Sequence, residues 1–338
     1  MRAQFFPCCH NVGVKRKSAL FLRCRVIGLW MMASCFTAAH ADFPERPIRL
    51  VVPFAPSGAV DGIARLTAVE FGKALGQTVI VDNKPGSGGT IGINFAGAAA
   101  ADGYTMLLGN IALAAAPALY PKSGISPKQF EPVALIGRSA YILAVKNDFP
   151  ASTVAELVAL AKAHPGKYNY ASAGAGSAIH LAAELLKSKA GIDVVHVPYK
   201  GAGPALNALM AGEVEMMFGS VSEMKSQIAG KRFRALAVTS SKRMQALPHL
   251  PTLAEGGIRD YEVAGWYGVF APAKTPPDAL KKLQTAAALA FKTSAMQQRL
   301  ATYEMEPASG GAAEAGDVLD SETKRWSEII RAAGIKVE

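Results

Sequence analysis

At 338 residues, 50% hydrophobic and 18% charged, the chain has an ordinary globular composition and enough length for about two domains. Its net charge of +10 overstates its basicity, because Arg2, Lys15, Arg16, Lys17, Arg23 and Arg25 precede the first acid, Asp42, and the remainder carries 30 basic against 26 acidic side chains. That balance, with sparse aromatics not interleaved with basic residues, argues against a nucleic-acid partner, and the four cysteines, Cys8, Cys9, Cys24 and Cys35, leave everything after residue 35 without disulfides, thiolate metal sites or cysteine redox chemistry.

In chain order, basic residues up to Arg25 are followed by an uncharged apolar run over 26–39 and then by Ala39-His40-Ala41. This pattern predicts an export signal over 1–41, cleaved after Ala41; a permanent membrane anchor needs roughly 17 or more apolar residues. Met32-Ala33-Ser34-Cys35 offers a variant in which lipid attached at Cys35 tethers the protein.

From residue 42 short β-branched runs alternate with amphipathic stretches, the signature of parallel sheets covered by helices. Strands are expected at Ile48–Val52, Thr78–Asp82 and Tyr104–Leu108, and Val60, Ile63, Ala64, Phe71 and Leu75 fall on one face of the first helix. A second series runs through Asn169–Ala171, Val194–Val197, Val214–Phe218 and Arg234–Val238. Thr153 with Glu156 and Thr252 with Glu255 have capping-box spacing. Lys231, Arg232 and Arg234 are expected on a solvated turn. No linker separates the two series, so the chain is expected to cross between domains on extended segments, at Tyr141–Val145 and Tyr261–Phe270. Helices at Pro277–Ala290, Ser294–Tyr303 and Ala312–Ala333 would pack back on the first domain.

In open α/β sheets ligands bind at the carboxyl ends of strands. Pro56-Ser57-Gly58-Ala59-Val60-Asp61 holds that place in the first series and Ala171-Ser172-Ala173-Gly174-Ala175-Gly176-Ser177 in the second. Each offers free backbone N–H groups at the start of a helix, which suits an anion, although either loop alone also reads as a tight turn whose glycines serve packing. Dinucleotide and P-loop spacings both fail: Ile91 and Ile179 stand where G-x-G-x-x-G needs glycine, and Gly72-Lys73, Gly166-Lys167 and Gly230-Lys231 lack the following Ser or Thr. Tyr170-Ala171-Ser172-Ala173-Gly174 lacks the first glycine of G-x-S-x-G. Among His164, His180, His196 and His249 no pair has the spacing of a helical zinc site, so neither a metal nor a cofactor is expected. His180 either faces the ligand or orients the glycine loop from behind.

Taken together, "FPERPIRLVVPFAPSGAVDGIAR" (43–65), "GQTVIVDNKPGSGGTIG" (76–92), "ADGYTMLLGN" (101–110), "NYASAGAGSAIHLAAELLK" (169–187), "VPYKGAGPALNALMAGEV" (197–214), "RALAVTSSKR" (234–243) and "LPTLAEGG" (250–257) resemble the Bug-type receptors, the periplasmic solute-binding proteins of tripartite tricarboxylate transporters. The resemblance implies a two-lobed α/β Venus-flytrap fold of the type II-like periplasmic-binding-protein class, each lobe a mostly parallel sheet flanked by helices. Lobe 1 would comprise 42–142 and 266–338, and lobe 2 143–265, with hinge strands near 141–145 and 261–270. It implies a monomeric, non-enzymatic periplasmic receptor that holds a small carboxylate between its lobes and delivers it to membrane permease subunits. Carried over by position, the ligand-binding residues are Pro56, Ser57, Gly58, Ala59, Val60 and Asp61, then Asn110, then Ser172, Gly174, Gly176, Ser177 and His180. Two departures stand out: Ser57 replaces the first glycine of a Gly-Gly pair, and Gly219 replaces an aspartate that often orients the ligand's distal end. The residues leave open an exported serine hydrolase using Ser172 or Ser177 with His180, and a ligand-sensing module for a membrane signalling partner.

Overall fold

The computed structural model describes residues 43–309 and 311–337; the expected export signal and Cys35 lie outside them. Three βα units come first: β1 (Ile48–Val52) and α1 (Ala59–Leu75), β2 (Val79–Asn83) and α2 (Thr90–Gly97), β3 (Thr105–Gly109) and α3 (Ile111–Leu119). β4 (Phe130–Val145) leads to α4 (Val154–Ala163), β5 (Asn169–Ser172), α5 (Ala178–Ala190), β6 (Val195–Pro198), α6 (Ala202–Ala211), β7 (Met216–Ser220), α7 (Val221–Ala229) and β8 (Arg234–Val238). β9 (Ala264–Pro272), α8 (Pro277–Ala290), α9 (Ser294–Thr302), β10 (Glu306–Pro307) and α10 (Ala312–Ala333) complete the chain.

The strands join in the order β2-β1-β3-β9-β4-β7-β5-β6, with β8 and β10 also paired to β4. β1 runs parallel to β2 and β3, and β5 parallel to β6 and β7. Ile48, Leu50 and Val52 face one apolar core and Val51 the other; Met106 and Leu108 of β3 oppose Leu107 in the same way. Both faces of these strands are buried, so they read as continuous hydrophobic runs. α1 buries Ile63, Ala64 and Phe71 in one of these cores with Leu283, Ala286 and Ala287 of α8, while α10 lies against α3 and β4 and also meets α5.

β4 carries the chain from one half of the sheet to the other. Its residues 130–140 pair with β9, and residues 141–145 pair with β7 and β8. Fully buried Thr239 pins the change of partner. Its Oγ1 accepts from Tyr141 N–H at 2.8 Å and donates to the Val263 carbonyl at 2.7 Å, while its backbone bonds Tyr141 and Val263 as well. The sequence reading expects only the last part of this strand. Pro132 and Gly137 hide the rest, and the register shifts beside both, so bulges absorb residues that ordinarily interrupt a ladder.

Three further differences have plain causes. α3, IALAAAPAL, is buried nearly all round and therefore shows no amphipathic period. Thr252 and Glu255 form both bonds of a capping box, at 3.0 and 2.7 Å, but close a turn rather than open a helix. Arg234 is not solvated with its neighbours Lys231 and Arg232. Its guanidinium donates to the carbonyls of Asn147, Phe149 and Ala151 and to Ser152 Oγ, fastening the turn before α4.

Candidate functional site

The loop after β1 enters α1 with Ser57 at φ 76° and with Gly58 as an N-cap that supplies no side-chain acceptor. Asp61, almost fully buried, braces it from below. Its carboxylate accepts from Ser57 N–H at 3.1 Å, from Asn83 Nδ2 at 3.0 Å and from Arg65 Nε and Nη2 at 2.9 and 3.1 Å. Asn83 Nδ2 also donates to the Phe54 carbonyl. Burial pushes the Asp61 carboxyl up, but the hydrogen bonds from Arg65, Asn83 and Ser57 prevail and hold it below its ordinary value.

The loop after β5 rests on a neutral, buried network. Ser172 Oγ accepts from Gly174 N–H at 3.0 Å and pairs with His196 Nε2 at 2.5 Å. Gly176 N–H donates to His180 Nδ1 at 3.1 Å, which leaves the imidazole proton on Nε2. Ser177 Oγ caps α5 by accepting from His180 N–H. Tyr170 stacks on His196 with ring centres 4.8 Å apart, and the two imidazoles lie 4.4 Å apart. Burial lowers His180 to about 3 and His196 to about 4, so both are neutral at pH 7.

The two halves of the sheet meet at these loops. Gly88, at φ 61°, lies so close to the Ala175 carbonyl that a Cβ there would overlap the oxygen, and Tyr120 Oη donates to the same oxygen at 2.6 Å. Gly201, which precedes α6, packs on Ala55.

Between the loops is a cavity of about 40 Å³, room for about three water-sized groups. Its wall includes Gly58, Asn110, Ser177 and Ser220, the N-caps of α1, α3, α5 and α7, and Ala202, the first residue of α6. Five helix N-termini therefore turn their positive ends toward one small space, and no lysine or arginine lines it. Asn110 and Ser177 cap their own helices, whereas α1, α6 and α7 receive no side-chain cap bond from their N-cap residues. Phe54, Ile179, Tyr141 and Tyr267 supply the larger walls. Burial, with the charge of nearby Glu223 adding to it, pushes both phenols up and keeps them neutral.

Of the residues singled out in the sequence, Gly58, Ala59, Val60, Asn110 and Ser177 reach the cavity wall. Pro56 and Ser57 are exposed at the loop tip, and Asp61 lies beneath it. Ser172 and His180 support the second loop from behind, Gly174 and Gly176 belong to it, and none of the four lines the cavity. Neither serine meets the His180 imidazole: Ser172 pairs with His196, and Ser177 bonds only the His180 backbone amide. Gly219, buried in β7, lets Met224 occupy the space a larger side chain would need. Sequence reasoning misses Tyr141, Ala202, Ser220, Glu223 and Tyr267. Of these only Glu223 leaves a local trace, the Ser-x-x-Glu spacing from Ser220, which by itself reads as a helix start.

Two α/β halves joined by crossing strands, with loops from both around one cavity, make up the fold of the periplasmic binding proteins. The profile of the family described as "Tripartite tricarboxylate transporter family receptor" matches residues 63–335, and the chain belongs to that family. It is 38% identical over 333 residues, 98% of this chain and 97% of the relative, to the "UPF0065 protein in tcbD-tcbE intergenic region" of Pseudomonas sp. strain P51. Among solved structures it is similar to the periplasmic binding protein BugD, at 35% identity over 88% of this chain and 100% of that one, with a TM-score of 0.83. It is equally similar to R. palustris Rpa4515 with adipate, at 34% identity, the same coverage and a TM-score of 0.83.

Proposed function

We propose that this chain is an exported receptor that captures a small carboxylate between two lobes, 42–142 with 266–338 and 143–265, and hands it to the permease subunits of a tripartite transporter. The observation that carries this reading is the convergence of five helix N-termini on one cavity without a basic side chain. A charge-assisted hydrogen bond from one backbone N–H contributes about 1.5–3 kcal/mol, and each helix dipole adds about 0.3–1 kcal/mol. Gly58 and Val60 from one lobe and Ser177 from the other would hold the carboxylate, with Ala59 and Asn110 beside them. Asp61 and His180 would position the loops, and the 141–145 and 261–270 segments would lie at the hinge. Closure is then a population shift driven by contacts made to both lobes at once.

The export signal over 1–41 supports a periplasmic location, and among the described residues no helix is long and apolar enough to cross a membrane. The burial of Ser172 and the role of Ser177 as a cap favour binding over hydrolysis.

A thermal-shift screen of the purified protein against mono-, di- and tricarboxylates, acidic amino acids and aromatic acids tests the reading. A ligand at 100 times its Kd stabilises the fold by about 2.7 kcal/mol. A midpoint shift with the compound recovered unchanged is the expected result. No shift with any carboxylate, or the appearance of product, would reject it.

A further inference from the structure

Glu223 is the one acidic side chain in the cavity wall. It starts from the first turn of α7 in the second half of the sheet and crosses to the N-terminus of α1 in the first. Oε1 accepts from Ala59 N–H at 2.6 Å, and Oε2 accepts from Ser220 Oγ at 2.5 Å. Burial pushes the Glu223 carboxyl up, and the hydrogen bonds from Ser220 and Ala59 pull against that. Gly58 leaves room for it: a Cβ at that position would stand 3.3 Å from Oε1. Ala59 N–H is one of the free donors at the mouth of α1, so a group of the protein already holds a place that suits a bound anion.

We infer that Glu223 is the specificity-determining residue of this cavity: it contributes one carboxylate from the protein itself, so the ligand is a small monocarboxylate and dicarboxylates are rejected. The inference rests on the receptor reading above. The donors left for a ligand would be the other first-turn N–H groups of α1 and those of Ala202 and Gly203 in α6, enough for one carboxylate. A second one would have to lie beside Glu223 in about 40 Å³ of space, and like charges brought together away from water repel strongly. The rest of a small ligand would meet the phenols of Tyr141 and Tyr267.

The test is calorimetric titration of the purified protein with matched pairs, lactate against malate and propionate against succinate. Wild type is expected to bind the monocarboxylate of a pair at least roughly tenfold more tightly. Glu223→Gln keeps the shape and removes the charge, and Glu223→Ser also removes the bulk; in either, the preference should fall by about tenfold or more. A dicarboxylate preference in wild type overturns the inference whether or not the variants fold. So does an unchanged ratio in variants whose thermal midpoints show them folded. If wild type and both variants bind no carboxylate at all, the receptor reading itself fails and this inference falls with it.

Discussion

The two loops facing the cavity look alike in sequence, each a small-residue break between a strand and a helix, yet they are built on different principles. The loop before α1 is braced by an ionised carboxylate, Asp61, and leaves its helix N-terminus uncapped by its own side chains. The loop before α5 is braced by neutral imidazoles and a serine, and its N-terminus is closed by Ser177. On the proposed function the first loop would offer the ligand its main-chain donors beside Glu223, and the second would be the wall against which it is pressed. Small residues after a strand announce a helix N-terminus; whether that terminus is free depends on the cap residue.

Bringing the loops together should matter most. Gly88→Ala places a methyl group against the Ala175 carbonyl and strains φ as well. Each charge-assisted hydrogen bond to ligand lost this way costs about 1.5–3 kcal/mol, so affinity should fall roughly ten- to hundredfold. Calorimetry would read the loss, and small-angle scattering should show no compaction on adding ligand.

The second loop's neutral brace predicts both a mutational cost and an acid response. Ser172→Ala leaves Gly174 N–H and His196 Nε2 without their partner, for a loss of about 1–3 kcal/mol in urea unfolding. His180 and His196 sit near 3 and 4 against an ordinary value of 6.5. Between those values the unfolded chain binds more protons than the folded one. The stability they contribute is thus complete above about pH 6.5 and declines as pH falls toward 4 and then 3. His196→Gln should flatten that decline when urea midpoints are compared from pH 7 to pH 4.

At the first loop Asp61→Asn should cost about 1–2 kcal/mol. Most of that comes from the buried acceptor of Ser57 and Asn83, because the Arg65 partner is half exposed. The smallest effect runs the other way. Ser57 holds a left-handed backbone with an exposed side chain, and the bond from its N–H to Asp61 would survive in glycine, so Ser57→Gly should raise stability by about 1 kcal/mol, read as a higher unfolding midpoint.

Much of this was legible in the chain. β1, β8, α8 and α10 fall where hydrophobic period and turn residues put them, because each follows a local rule. The loop residues from Gly58 to Val60 and Ser177 were legible for the same reason. Tyr141, Tyr267 and Glu223 were not, since they enter the cavity from β4, β9 and α7, elements that only the crossing of the sheet brings together. Long β4 was obscured by Pro132 and Gly137, which signal interruption unless a bulge absorbs them. Gly219 reads as a missing contact in sequence and as space for Met224 in the fold.

Five helices donating through their main chain have a consequence for how such a pocket changes over generations. A point mutation ordinarily replaces a side chain and leaves the N–H in place; proline alone among the twenty residues deletes that donor. On the proposed function, a grip on an anion made this way would be nearly immune to sequence drift at the positions that provide it, while Glu223, the tyrosines and Phe54 would be free to vary. A lineage built on this plan can exchange one solute for another by single substitutions without passing through a form that binds nothing.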